Sequence, residues 1–472
     1  MKFRLFATVV ACAATTVFSA AKPHVILVMA DDQGWGDMAY NGHPLVKTPN
    51  FDEAAKSGLR FDRFYAAAPV CSPTRASVLT GRTPNRMGVF KWGYPMRPQE
   101  TTLAEALKSA GYTTGHFGKW HLGSVRKTSP ANPGNNGFDR WVSAPNYYDN
   151  DSPLSDEGTA IETKGESSII AVDFALEWME DALQKDAPIF SVIWFGSPHG
   201  PHRAAEEDAA HYADQPKNVQ NFLGEITGMD RAFGKLRDKL EEWGIRENTI
   251  LWYCSDNGAL RNIGSTGGAR AHKGSVYDGG LLVPSILEWP AKITKPNVIA
   301  ETRCNTFDIY PTILEIAGVK VEKQAPLDGI SLVPLIEGKP IENRRAMGFW
   351  DTIKPGIGTP SDRWMTELLE AQKAGNDLPP HPSSAKAAEL PSNPAPLDSF
   401  PGHAAWIDGN WKLHRIQNKE GGVKLELYNL EQDPAEESDV AGEKKEVVSR
   451  MKTELDGWLK SVAASYNGAD YE

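Results

Sequence analysis

The chain has 472 residues, 40% hydrophobic and 24% charged, which fits a soluble globular protein of one large and one smaller domain. Its 61 acidic residues outnumber 50 basic ones for a formal net charge of −11. That balance argues against nucleic acid as a partner and would repel a polyanion unless positive charge is gathered locally.

Met1-Lys2-Phe3-Arg4, an apolar stretch from Leu5 to about Phe18 and then Ser19-Ala20-Ala21 follow the order of an export signal. Residues 1–21 are therefore read as a signal peptide, and the protein as exported, to the periplasm or the extracellular space. The stretch is too short, and too rich in Ala and Thr, to span a bilayer. Val9-Val10-Ala11-Cys12 offers lipid anchoring through Cys12 as the alternative. No later segment is a long uncharged run, so no stable membrane insertion is expected. Beyond the signal lie Cys71, Cys254 and Cys304, an odd number, so at least one needs an explanation other than a disulfide.

Short apolar runs then recur with helix-like segments between them. His24 to Ala30 ends at Asp31-Asp32, Tyr112 to Phe117 leads into Gly118-Lys119-Trp120-His121, Ile189 to Phe195 leads into Gly196-Ser197-Pro198-His199, and Ile250 to Cys254 runs into Ser255-Asp256-Asn257-Gly258. Thr102-Leu103-Ala104-Glu105 has capping-box spacing with Gly111 as a stop, and Ser168 to Gln184 and Phe222 to Trp243 carry helical apolar spacing. The expected fold is α/β: a large mixed, mostly parallel sheet flanked by helices on both faces, spanning 22–338. A smaller C-terminal α+β domain containing an antiparallel sheet follows over 339–472. Within it, 354–402 is a Pro-rich region with one helix around Asp362 to Lys373, read as an ordered insertion or lid rather than a linker. Alternating segments at Ala404 to Arg415 and Val423 to Leu430 precede a terminal amphipathic helix from Lys444 to Ala463.

Every polar cluster falls just past the carboxyl end of a candidate strand, where open parallel sheets place their ligands, so one shared site is expected. Asp31, Asp32, Asp256 and Asn257 offer hard oxygen donors suited to Ca²⁺, with Mg²⁺ as the alternative. An adjacent acid pair alone reads as a turn or a helix cap; its place after an apolar strand is what makes it a metal candidate.

The most specific segment is Cys71-Ser72-Pro73-Thr74-Arg75, continuing through Thr80-Gly81-Arg82. It resembles the signature of the type I formylglycine-dependent sulfatases, a family of the alkaline phosphatase-like superfamily. In that family the cysteine of Cys-x-Pro-x-Arg is oxidised to an aldehyde. Ser often stands where this chain has Thr74, and Glu where it has Asp278 in His272-Lys273-Gly274-Ser275-Val276-Tyr277-Asp278-Gly279-Gly280. Leu327-Asp328-Gly329 and Glu426 to Pro434 echo the family without adding catalytic residues.

The resemblance implies that 22–338 is the catalytic domain and that Cys71 is converted by a formylglycine-generating enzyme acting on the unfolded chain. It further implies a metal held by Asp31, Asp32, Asp256, Asn257 and the modified residue 71. Arg75, Lys119 and Lys273 would balance the sulfate charge, and His121 would deprotonate the spare hydroxyl. His199 or Lys273 would protonate the leaving alkoxide. One hydroxyl of the hydrated aldehyde attacks sulfur with S–O cleavage, and the other later expels sulfate, dividing one displacement into two steps. The expected substrate is a sulfated carbohydrate or polysaccharide. The alternatives are a phosphonate or phosphate ester hydrolase of the same superfamily, and a noncatalytic glycan-binding protein if Cys71 stays unmodified. Tyr147, Tyr148, His202, Arg203, Arg270, His272, Trp364 and His403 are candidates for sugar contacts or, equally, structural side chains.

Overall fold

The computed structural model describes residues 22–418 and 420–471; the expected signal peptide and Cys12 lie outside them. Ten strands form the main sheet. From one edge to the other they are Asn297–Ile299, Leu59–Phe61, Ser285–Glu288, Thr249–Ser255, His24–Ala30, Ile189–Trp194, Thr113–Lys119, Arg140–Ala144, Leu154–Asp156 and Thr159–Ile161. The five strands from Thr249–Ser255 to Arg140–Ala144 are mutually parallel, and antiparallel pairings bring in the outer strands on either side.

The continuous apolar runs of these strands follow from burial on both faces. In His24–Ala30, Val25, Leu27 and Met29 meet the helices Cys71–Thr80, Leu103–Ser109 and Ile309–Ala317. Ile26, Val28 and Ala30 on the other face meet Pro49–Ser57, Ser167–Leu183 and Lys217–Glu242. The Thr102 hydroxyl accepts from the Glu105 N–H while the Glu105 carboxylate accepts from the Thr102 N–H, the capping box expected from the sequence.

A four-stranded antiparallel sheet, Met347–Thr352, Gly402–Asp408, Trp411–Gln417 and Val423–Asn429, closes the fold. Its period of two divides the work: Ala404 and Trp406 pack on Met451, Leu455 and Leu459 of the terminal helix Lys445–Tyr466, whereas Ala405 and Ile407 join Tyr65 and Phe307 of the large unit. The insertion holds two helices, Ser361–Lys373 and Pro382–Ala385, where the sequence suggested one.

Asp328 shows how the terminal helix is fastened. Its carboxylate accepts from Arg86 Nε at 2.8 Å and Nη2 at 3.0 Å, from the Thr83 N–H at 2.7 Å and from Trp458 Nε1 at 3.1 Å. Burial alone would raise this acid, but Arg86 and the hydrogen bonds hold it below the usual carboxylate range. Asp328→Asn leaves the Arg86 guanidinium buried without a counter-ion and is expected to cost about 3–5 kcal/mol in urea unfolding. Because the folded value lies below the unfolded one, this contribution is fully present above about pH 4 and is lost as pH falls through the folded value. The variant's stability should accordingly fall less steeply on acidification.

Candidate active site

The parallel register sets the site. Ala30 pairs with Ser255 and Met29 with Trp194, so Asp31-Asp32, Asp256-Asn257 and the loop to His199 leave the sheet side by side. Gly118 also pairs with Trp194, which brings Lys119 and His121 to the same edge. Cys71 is the first residue of a ten-residue helix that Gly81 ends with φ 70°; a Cβ there would meet the Tyr310 ring at 2.8 Å. The Lys273 loop is fixed by its own N–H donating to Ala259 O at 2.9 Å and by the Gly274 N–H donating to Pro69 O at 2.8 Å, just before Cys71.

The structure brings every one of these candidates together. Arg75 is fully buried; its Nε and Nη2 donate to Asp256 Oδ2 at 3.0 and 2.6 Å, and its guanidinium lies 5.1 Å from the Trp194 ring centroid. Lys119 Nζ donates to Asp31 Oδ2 at 2.6 Å, and Lys273 Nζ to Asp32 Oδ2 at 2.5 Å. Asn257 Nδ2 donates to Asp32 Oδ1 at 2.9 Å, and the Asp32 N–H to Asp256 Oδ1 at 3.0 Å. His199 Nε2 lies 3.6 Å from Asp32 Oδ2, its Nδ1 bonds Gly200 O at 2.6 Å, and the Tyr147 ring stacks on it at 4.4 Å. Asp32 and His121 have φ of 72° and 54°, a conformation uncommon outside glycine that concentrates at functional sites.

The donor set fits a hard divalent cation. Ligand atoms of Asp31, Cys71 and Asp256 lie within 4.8 Å of one another, as do those of Asp32, Cys71 and His199. Asp31 Oδ1 and Asn257 Oδ1 are buried without a hydrogen-bond partner among the described residues. Burial, opposed by Lys119 and reinforced by the Asp256 and Asp32 carboxylates, pushes Asp31 above the usual carboxylate range. Burial likewise pushes the Cys71 thiol up to about 12 despite Lys119 and Lys273, so burial itself disfavours a thiolate.

Cys71, His121, His199 and Lys273 line one cavity of about 470 Å³, together with Trp92, Asn146, Gly358, Thr359 and Pro360. A larger cavity of about 710 Å³, lined by Lys22, His24, Glu180 and Pro188 among others, lies at the opposite, amino ends of the strands and gathers no comparable set of charges. Sequence reasoning missed Trp92, Asn146 and Thr359, which sit on loops without a motif.

Of the residues named as sugar contacts or, equally, structural side chains, five have a structural setting. Tyr148 is buried where a Cβ at Gly118 would sit 2.7 Å from its hydroxyl, and His403 is bonded to His414 at 2.8 Å inside the second unit. Arg270 stacks on Tyr277 and donates to Glu436 O, Trp364 stacks on His381, and His202 bonds Glu225 at 3.1 Å. Four of these have polar or ring partners and Tyr148 is packed in the core; of the suggested aromatics, Tyr147 reaches the site through His199.

Comparison with known proteins gives a concordant result. The family model described as Sulfatase matches residues 23–319. Human (Homo sapiens) arylsulfatase A is 28% identical over 92% of this chain and 87% of its own length. N-acetylgalactosamine-6-sulfatase of Rattus norvegicus is 31% identical over 68% and 67%. The solved structure of Ps i-CgsB in complex with k-i-k-neocarrahexaose shares the fold with a TM-score of 0.77 at 24% identity, covering 93% of each chain.

Proposed function

Since the chain belongs to the sulfatase family of sulfuric ester hydrolases, we propose that it cleaves sulfate esters of a carbohydrate with residue 71 as formylglycine. The convergence of Cys71, three carboxylates, Asn257 and three cationic side chains in one cluster, which reaches the cavity through Cys71 and Lys273, is the observation that carries this reading. The names of relatives acting on N-acetylgalactosamine-6-sulfate and of a neighbour bound to a neocarrahexaose support a sugar substrate. Within the same proposal, 1–21 is an export signal, 22–338 the catalytic domain and 339–472 the C-terminal subdomain. Among the described residues no helix is long and apolar enough to cross a membrane.

Asp31, Asp32, Asp256 and Asn257 would hold Ca²⁺, which when bound withdraws electron density from sulfate oxygens. The hydrated aldehyde at position 71 supplies two hydroxyls on one carbon. One gives its proton to a carboxylate of the neighbouring Asp31–Asp256 pair and attacks sulfur; the S–O bond to the sugar breaks, its electron pair leaving with the sugar oxygen, which takes a proton from Lys273 or His199. Of the two, Lys273 is held as an ammonium: burial would lower it, but Asp32 raises it well above its ordinary value. Burial pulls His199 down to about 4 against the pull of Asp32, leaving it neutral. In the second step His121 takes the proton of the remaining hydroxyl, the carbonyl re-forms and sulfate departs with the electrons of the broken C–O bond. Water then restores the hydrate. Arg75 and Lys119 act by fixing Asp256 and Asp31.

Paired kinetics on sulfate and phosphate esters of one phenol and one sugar test this. Sulfate release should exceed phosphate release by at least about 100-fold, fall to background on removal of divalent cations and return with Ca²⁺. Preferential phosphate release, or turnover indifferent to chelation, would refute the proposal.

A further inference from the structure

Residues 354–360 of the insertion form one wall of the cavity, through Gly358, Thr359 and Pro360. The wall is tied down from two sides. The Ile357 N–H donates to Trp92 O at 2.9 Å, and the adjacent Gly93 N–H donates to Ser72 Oγ at 2.8 Å, one residue from Cys71. Asn146 Nδ2 donates to Thr359 O at 3.0 Å. This seats the Thr359 hydroxyl 2.9 Å from His121 Nε2, across 238 positions of sequence. The other ring nitrogen of His121, Nδ1, is buried without a hydrogen-bond partner among the described residues.

We infer that Thr359 is a positioning residue that fixes the tautomer of His121, by accepting the Nε2 proton so that Nδ1 presents the bare lone pair. A neutral imidazole carries one N–H, and the hydrogen bond at one nitrogen decides which nitrogen is the base. The Thr359 hydroxyl could accept from Nε2–H or donate to a bare Nε2, and the partnerless Nδ1 selects the former: an N–H at Nδ1 would be buried unsatisfied, whereas a bare lone pair there is free to receive a proton. Resting on the proposed function, the step governed is the second one: the spare hydroxyl of residue 71 gives its proton to Nδ1, its oxygen closes the carbonyl, and the C–O bond to sulfate breaks with its electrons leaving on sulfate. The first step needs no proton acceptor at His121. Thr359 thus links the insertion to turnover of the enzyme rather than to binding alone.

The test is stopped-flow turnover of a chromogenic aryl sulfate by native protein, Thr359→Val and Thr359→Ser, each with its formylglycine content measured. Valine keeps the shape and removes the acceptor; serine keeps it. Thr359→Val should lower the steady-state rate about 10-fold, with an alcohol burst whose rate constant matches the native first step and whose amplitude per formylglycine is undiminished. Thr359→Ser should turn over within about twofold of native. Equal losses in both phases, a valine variant as fast as native, or a serine variant as slow as valine would each overturn the inference while leaving the proposed function standing. Native protein that carries formylglycine and releases no sulfate would overturn both.

Discussion

Cys71→Ala is expected to lower sulfate release by about 10⁴-fold or more, since nothing else in the cavity replaces a covalent nucleophile. The fold should survive. The Cys71 side chain borders the cavity, so deleting Sγ opens little new void, and the loss in urea unfolding should stay near about 1 kcal/mol. Protein carrying an unoxidised Cys71 should be as inactive as the alanine variant, because burial disfavours its thiolate and a thiol offers no second hydroxyl to expel sulfate. If the chain were a glycan-binding protein without chemistry, Cys71→Ala would leave glycan affinity untouched and there would be no activity to lose. Sulfate release by the alanine variant at a comparable rate would remove position 71 from the mechanism.

Arg75→Met should be the most damaging substitution for stability among the site residues. The guanidinium is fully buried, bonded through two nitrogens to Asp256 and 3.7 Å from Asp31. Removing it leaves Asp256 buried without a counter-ion beside Asp31, which keeps only Lys119, a loss of about 3–5 kcal/mol, readable in urea unfolding. Sulfate release should vanish at the same time, because Asp256 also fixes the Asp32 backbone N–H and belongs to the proposed metal set. Arg75→Lys should rescue little: an ammonium is a point charge and cannot supply two converging N–H donors to Asp256 while lying along Trp194. A lysine variant of native stability and activity would contradict this account of the site.

What was legible in the sequence was whatever a periodic pattern or a compact motif carries. The runs His24 to Ala30, Tyr112 to Phe117, Ile189 to Phe195 and Ile250 to Cys254 fall on strands buried on both faces, and because these are parallel, the polar residues that follow them had to meet at one edge. The outer strands Leu59–Phe61, Leu154–Asp156, Thr159–Ile161 and Asn297–Ile299 span three residues each, too short for an alternating pattern to register. Met347–Thr352 escaped notice because it opens the second sheet beside the Pro-rich insertion, where composition masked its pairing with Gly402–Asp408.

The cavity wall was illegible for a related reason. Trp92, Asn146 and Thr359 belong to three separate loops, and their association depends on hydrogen bonds between distant segments rather than on local spacing. His403 and Arg270 were drawn toward sugar contacts by residue type alone. Their packing against Tyr277, His414 and Tyr428 is a property of how the second sheet docks, which no local pattern encodes.

The most direct test of the account is the mass of the peptide containing position 71, taken from protein exported by its native host, with sulfate release from sulfated glycans measured on the same sample. The account predicts formylglycine at position 71 and sulfate release in proportion to its content. An unmodified thiol in protein that still releases sulfate, or full conversion in protein that releases none from any ester, would contradict it.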